Sequence, residues 1–158
     1  MRVGIGYDAH RLAIGRPLIL GGVEIPFDKG LEGWSDADVL SHAIMDSLLG
    51  AAGLRDIGYH FPPNDPAYKD ISSIILLNRV ADLLKSQGWR IGNVDATIVA
   101  ERPHLRPFIS PMKHTLARAL SIGETQVGVK ATTNEGMGFV GREDGIAAYS
   151  VDLLEKAR

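Results

Sequence analysis

Two residues near the N-terminus carry the first hint of chemistry. Asp8 and His10 flank Ala9, directly after the apolar run Arg2-Val3-Gly4-Ile5-Gly6-Tyr7. The run reads as a short buried strand that ends where Asp8 begins. In extended backbone, residues two apart project to the same side, so a carboxylate and an imidazole stand next to each other. That is half of a divalent-metal site, and a third ligand with an open coordination position would make it a catalytic one. The 158 residues contain no cysteine, so there is no disulfide and any metal would be held by nitrogen and oxygen.

His42 is the candidate third ligand. Asp38 and Asp46 lie four residues to either side, and helical spacing puts all three on one face. A ligating histidine passes its second ring N–H to a carboxylate or a carbonyl, so Asp38 and Asp46 are the expected acceptors. A helix histidine among acids is more often salt-bridged on a solvated face, and Asp-x-His after a strand is commonly a turn. Spacing alone does not bring His42 to Asp8 and His10. Two further stretches offer polar groups. Asp56-Ile57-Gly58 and Phe61-Pro62-Pro63-Asn64-Asp65 form an irregular loop with backbone donors and carboxylates. Thr132-Thr133-Asn134-Glu135-Gly136, with Arg142 soon after, sets hydroxyls and a carboxylate at a strand end. Hydroxyls, main-chain N–H groups and an arginine suit phosphate oxygens, while a lone carboxylate suits Mg²⁺. Each loop by itself also reads as an ordinary Asx- or Ser/Thr-rich turn.

The elements that must position these groups are legible in outline. Leu18 to Pro26, with Gly21-Gly22 at its centre, reads as a hairpin. Residues 28–35 read as a loop. Ser35-x-x-Asp38 resembles a capping box and predicts a helix from about Asp36 to Ala52, stopped by Gly53. Residues 54–70, with three prolines, read as loop. A second helix is expected over about Ser72–Gln87, with Ile75, Leu76, Val80, Leu83 and Leu84 inward and Gly88 as its C-cap. Trp89 to Ala100 alternates as a strand. Ser110-Pro111 places a cap and a first-turn proline ahead of a third helix ending near Leu120. Val127–Ala131 and Ile146 to about Leu154 complete the strands. The order predicts an α+β fold in one domain, residues 1–158: a mixed sheet of four to five strands with three helices on one face. The uncovered face then calls for an oligomer.

Composition narrows the class. The hydrophobic fraction of 45% and charged fraction of 23% are ordinary for a globular protein. The formal charge of −2 gives no nucleic-acid footprint, and no run approaches the roughly 18 apolar residues of a membrane span. No apolar signal core opens the chain, and a cytoplasmic location is the expectation.

Taken together, Gly6-Tyr7-Asp8-Ala9-His10-Arg11-Leu12, Ser35-Asp36-Ala37-Asp38-Val39-Leu40-Ser41-His42, Asp56-Ile57-Gly58, Gly92-Asn93-Val94-Asp95-Ala96-Thr97 and Lys130-Ala131-Thr132-Thr133-Asn134-Glu135, with Gly138-Phe139 and Gly141-Arg142, resemble one family in the same order. It is the 2-C-methyl-D-erythritol 2,4-cyclodiphosphate synthase family of non-mevalonate isoprenoid biosynthesis, and the resemblance spans the chain. It implies conversion of 4-diphosphocytidyl-2-C-methyl-D-erythritol 2-phosphate to the cyclic diphosphate and CMP, by attack of the substrate's own 2-phosphate on the β-phosphorus. The protein need then supply no nucleophile, only positioning and charge. By the resemblance, Asp8, His10 and His42 are Zn²⁺ ligands, and Glu135 contacts Mg²⁺ or Mn²⁺ between the α- and β-phosphates. It makes Thr133 a transition-state stabiliser and places Trp34 and Ser35 at the site as contacts. Asp56, Gly58, Phe61 and Asp65 match the loop around the methylerythritol phosphate. Ala100, His104, Arg106, Ala131 and Thr132 match the cytidine pocket, completed by an adjacent subunit of a homotrimer whose sheets face each other. Phe139 and Arg142 match the lining of a cavity on the threefold axis suited to isoprenoid diphosphates.

The chain departs from the family pattern at three places. Trp34 stands where histidine is usual, Pro63 and Asn64 replace Asp-Thr in the 61–65 loop, and His104 replaces lysine. Two other readings compete: a Zn/Mg phosphohydrolase that uses water, and a trimeric metal- or ligand-binding protein with impaired catalysis.

Overall fold

The computed structural model describes residues 1–157. Among these residues there are seven strands and five α-helices, in the order β1 (Arg2–Ile14), β2 (Leu18–Leu20), β3 (Val23–Ile25), β4 (Lys29–Leu31), α1 (Val39–Ala52), α2 (Ile57–His60), α3 (Ser73–Ser86), β5 (Trp89–Val99), α4 (Ile109–Leu120), β6 (Val127–Thr132), α5 (Gly138–Gly141) and β7 (Gly145–Lys156). Five strands form one mixed sheet in the order β4-β1-β7-β5-β6, and β2-β3 is the expected hairpin. β1 runs antiparallel to β7 from Arg2↔Leu154 to Arg11↔Gly145. β5 pairs antiparallel with β7 and parallel with β6, and α4 spans the parallel crossover.

α1 lies on β1 and β7, α3 packs on α1 and β5, and α4 covers β6. Leu40, Ile44, Leu48, Leu77, Leu84, Ile98 and Ile146 meet between the layers, each at most 1% exposed. The closest seam is α1 against β1. A Cβ at Gly4 would lie 2.0 Å from the Ser47 carbonyl oxygen, and one at Gly6 would lie 1.9 Å from that of Ala43. Only hydrogen side chains let helix and strand meet there.

Several local expectations need correction. β1 is no short buried strand ending at Tyr7. It runs to Ile14, and Asp8 and His10 sit within it on the inward face with Gly4 and Gly6. Its other face bears Val3, Ile5 and Tyr7, which are exposed with Tyr149 and Val151 of β7, Ile5 by 72%. The Tyr7 and Tyr149 rings are 4.9 Å apart. Long-range pairing with β7 carries the strand past the point where its apolar run stops. The same cause makes a strand of 29–31, which borders Leu12–Ile14. α1 begins at Val39 because Asp38, not Ser35, caps it. α3 starts at Ser73 and its C-cap is Gln87, with left-handed Gly88 next in line. Ile75 faces outward, 49% exposed. Ser110 and Pro111 fall inside the first turn of α4, which a 3₁₀ turn at Arg106–Phe108 precedes.

One buried acid stands apart from the site. Asp152 of β7 is 1% exposed; its Oδ1 accepts from the Ser150 hydroxyl at 2.6 Å and its Oδ2 has no partner among the described residues. Burial pushes its carboxyl up to about 7, against the hydrogen bond from Ser150. Between pH 4 and 7 the folded chain therefore keeps a proton that the unfolded chain releases. Stability conferred by that proton is full at pH 4 and declines as pH rises, by about 4 kcal/mol across the window. Asp152→Asn is expected to melt higher than wild type at pH 8 and to flatten the decline. Melting curves of the two proteins measured across pH 4–8 check this, and an unchanged decline in the variant would refute it.

Candidate metal centre and neighbouring pockets

β1 delivers Asp8 and His10 on its inward face, and α1 delivers His42 from its second turn, directly above the glycine seam. Asp8 Oδ2 lies 2.9 Å from His10 Nε2 and 3.0 Å from His42 Nδ1, and those two nitrogens are 3.1 Å apart. These three atoms form a near-equilateral triangle. Four-coordinate Zn²⁺ with bonds near 2.0–2.1 Å sets its ligand atoms about 3.3 Å apart, so the triangle needs only a slight expansion to accept such an ion. Among the described residues it is the one cluster of three or more potential metal ligands.

Hydrogen bonds behind the rings decide which nitrogen faces the triangle. His10 Nδ1 lies 2.7 Å from the Glu32 carbonyl oxygen, which can only accept, so the proton sits there and Nε2 presents a lone pair. His42 Nε2 lies 2.9 Å from Ser73 Oγ and 3.2 Å from Ser35 Oγ, on the side away from Asp8. Two imidazole lone pairs and a carboxylate facing one point match the donor set of a divalent cation. Burial opposes the Asp8 charge, but the two histidines outweigh it and hold its carboxyl well below the usual carboxylate range. With no cation between them, Asp8 draws a proton to His10 Nε2 and raises that ring against the effect of burial, and a bound cation would take the place of that proton.

Asp38 and Asp46 do not take the His42 ring proton, contrary to expectation. Asp38 accepts from Gly21 N at 2.9 Å, Gly22 N at 2.8 Å, Ser41 N at 3.1 Å and Ser41 Oγ at 2.7 Å. It thus fastens the β2–β3 turn to the start of α1. Burial, and then the charge of Asp36, push it up. Asp46 accepts from Ile57 N at 2.8 Å and anchors α2, whose cap is Asp56 through Tyr59 N. Both acids look four residues along the helix to His42, but backbone donors from other segments claim them.

A cavity of about 240 Å³ opens at the triangle, walled by Trp34, Ile57, Gly58, Phe61, Pro63 and Tyr68. Trp34 is not free to reach a ligand with its indole N–H, which donates to the Asp65 carbonyl at 2.8 Å. Its own carbonyl accepts from Asp70 N at 2.8 Å. Trp34 therefore holds the 65–70 segment at both ends. A second cavity, about 440 Å³, is lined by Ala100, Glu101, His104, Arg106, Thr132 and Thr133, with Ala131 also at its wall. Glu101 Oε1 accepts from Asn134 N at 2.7 Å and Gly136 N at 3.3 Å, fixing the turn that follows β6. Glu135 sits on that turn, exposed and left-handed at φ 53°, outside the Asp8 cluster. The two cavities share no lining residue. Phe139 and Arg142 line a third, about 460 Å³, with Arg11 and Asp144. Sequence reasoning missed Ser73 and the Glu32 carbonyl as contacts of the ligand histidines; neither has a signal in spacing, because both arrive from other segments.

This geometry defines a small α+β protein that can hold a divalent cation beside a polar ligand. It belongs to the YgbB family, whose model matches residues 1–155. A 2-C-methyl-D-erythritol 2,4-cyclodiphosphate synthase of Syntrophomonas wolfei is 60% identical over 157 residues, which cover 99% of this chain and 100% of that relative. Among solved structures, the bifunctional IspDF of Campylobacter jejuni superposes with a TM-score of 0.95 at 39% identity over 98% of this chain. The chain spans 42% of that longer protein. The CDP complex of IspF from Plasmodium falciparum matches with a TM-score of 0.87 at 33% identity, covering 99% of this chain and 97% of that one.

Proposed function

We propose that the chain is a 2-C-methyl-D-erythritol 2,4-cyclodiphosphate synthase, closing the diphosphate ring of 4-diphosphocytidyl-2-C-methyl-D-erythritol 2-phosphate with release of CMP. The observation that carries this is the lone-pair triangle of Asp8, His10 and His42 in a chain 60% identical to a synthase along its whole length. Asp8, His10 and His42 would hold Zn²⁺ or another divalent cation, and Glu135 a Mg²⁺ or Mn²⁺. When bound, such ions neutralise phosphate charge that otherwise opposes the folded-back geometry of internal attack. The Thr133 hydroxyl donates to a phosphate oxygen. The Ala100–Arg106 segment with Ala131 and Thr132 receives the cytidine, and the α2 loop with Gly58 and Phe61 encloses the methylerythritol end. Trp34 serves this site by holding the loop, since its indole N–H is engaged with the Asp65 carbonyl.

The two cavities without a shared residue favour a site completed across subunits. The exposed row of Val3, Ile5, Tyr7, Tyr149 and Val151 supplies the face on which copies would meet in a homotrimer. Phe139 and Arg142 then lie toward the shared axis. The proposed setting is cytoplasmic isoprenoid precursor synthesis.

Incubation with the cytidylated substrate is expected to give CMP and cyclic diphosphate in equal amounts, to stop with EDTA, and to resume on adding Zn²⁺ and Mn²⁺. Linear hydrolysis products would support the phosphohydrolase reading instead. A monomer mass by light scattering at assay concentration would remove the shared-site part.

A further inference from the structure

The contacts behind His42 continue past its first partner. Ser73 is fully buried, and its hydroxyl donates to Asp36 Oδ1 at 2.5 Å. Its oxygen lies 2.9 Å from His42 Nε2. The direction along this line is forced by valence. An ionised carboxylate only accepts, so the serine proton goes to Asp36 and the serine oxygen must accept from His42 Nε2–H. The ring proton is thereby fixed on Nε2, and Nδ1 turns its lone pair to Asp8 and His10.

Asp36 is itself held in place. Its Oδ2 accepts from Ser73 N at 3.0 Å and its Oδ1 from Asp38 N at 3.2 Å, while its own N–H donates to the Ile71 carbonyl. The N-cap residue Ser72 makes no side-chain cap bond, so α3 takes its cap from this distant aspartate. The first residue of α3 is thus locked to the loop before α1, with its hydroxyl against the histidine. Ser35 Oγ offers Nε2 a longer alternative at 3.2 Å.

We infer that Asp36 and Ser73 are positioning residues that select the Nε2–H form of His42 and so set the affinity of the triangle for a divalent cation. This rests on the metal reading above. Cobalt(II) is the probe, with the visible absorption of the bound ion and its dissociation constant from chelator competition as readouts. Ser73→Ala removes the hydroxyl but keeps the backbone N–H that caps α3 through Asp36. It is expected to weaken cobalt binding by about 10–100-fold and to shift the absorption band. Asp36→Asn is expected to weaken binding by about 10-fold, and the double variant no further than Ser73→Ala, because the carboxylate acts through the hydroxyl.

Ser73→Ala binding cobalt as tightly as wild type overturns the inference while the metal site stands. Additive losses in the double variant overturn the relay. A wild-type protein that takes up no cobalt removes the metal reading, and the inference with it.

Discussion

Asp8→Ala is expected to lower turnover by about 10³-fold or more, and to strip the protein of one tightly bound divalent cation, while the fold persists. Asp8 is the one anion in the triangle, and both histidine nitrogens lie within 3.0 Å of its Oδ2. Without it two neutral nitrogens remain, a weak donor set for a doubly charged ion. Charge stabilisation by such an ion is worth several kcal/mol in phosphoryl chemistry, and each 1.4 kcal/mol is about tenfold in rate. The side chain is partly exposed at the cavity mouth and lies outside the apolar core, so its removal costs little packing. His42→Ala should match it in turnover and metal content. CMP release measured alongside elemental analysis checks both, and a metal-free Asp8→Ala protein at full rate would refute the site.

Gly6→Ala is the second large effect, and it acts through the backbone. The added methyl would sit 1.9 Å from the Ala43 carbonyl oxygen and 2.8 Å from Ser47 N, far inside any contact distance. Neither atom can yield without moving α1. Overpacking of this kind costs about 3 kcal/mol or more, and the displaced helix carries His42 one residue before Ala43. The variant should unfold at lower urea and, in whatever fraction folds, bind cobalt far more weakly than wild type. Retained stability with wild-type affinity would show that the seam has slack.

How much of this was legible in the sequence depended on the range of the interaction. Asp8 and His10 obey a period of two and His42 a period near four, so their faces could be read directly. The Gly21-Gly22 turn and the Gly53 stop follow from backbone freedom at single residues and were equally plain. The acids were misread for the converse reason. Helical spacing puts Asp38 and Asp46 beside His42, yet unpaired N–H groups at Gly21, Gly22 and Ile57 compete for them, and those come from elsewhere in the chain. Asp36 and Ser73 are 37 residues apart, and nothing local in either announces the other. The true extent of β1 was hidden too, because its second half is fixed by β7 and β4 and not by its own apolar pattern.

The pairing of β1 with β7 also bears on how the protein is made. Within this domain the strand that carries Asp8 and His10 is made before every other element, and its principal partner is made after them. Arg2 lies across from Leu154, so the sheet cannot close until β7 has been made. Contacts of such long separation slow folding, and the nascent β1 must wait with its apolar row unpaired, a state open to aggregation. The candidate metal ligands, all carried on β1 and α1, are therefore brought together only once β7 has closed on β1, and a cation captured earlier would meet only loose ends of such a site.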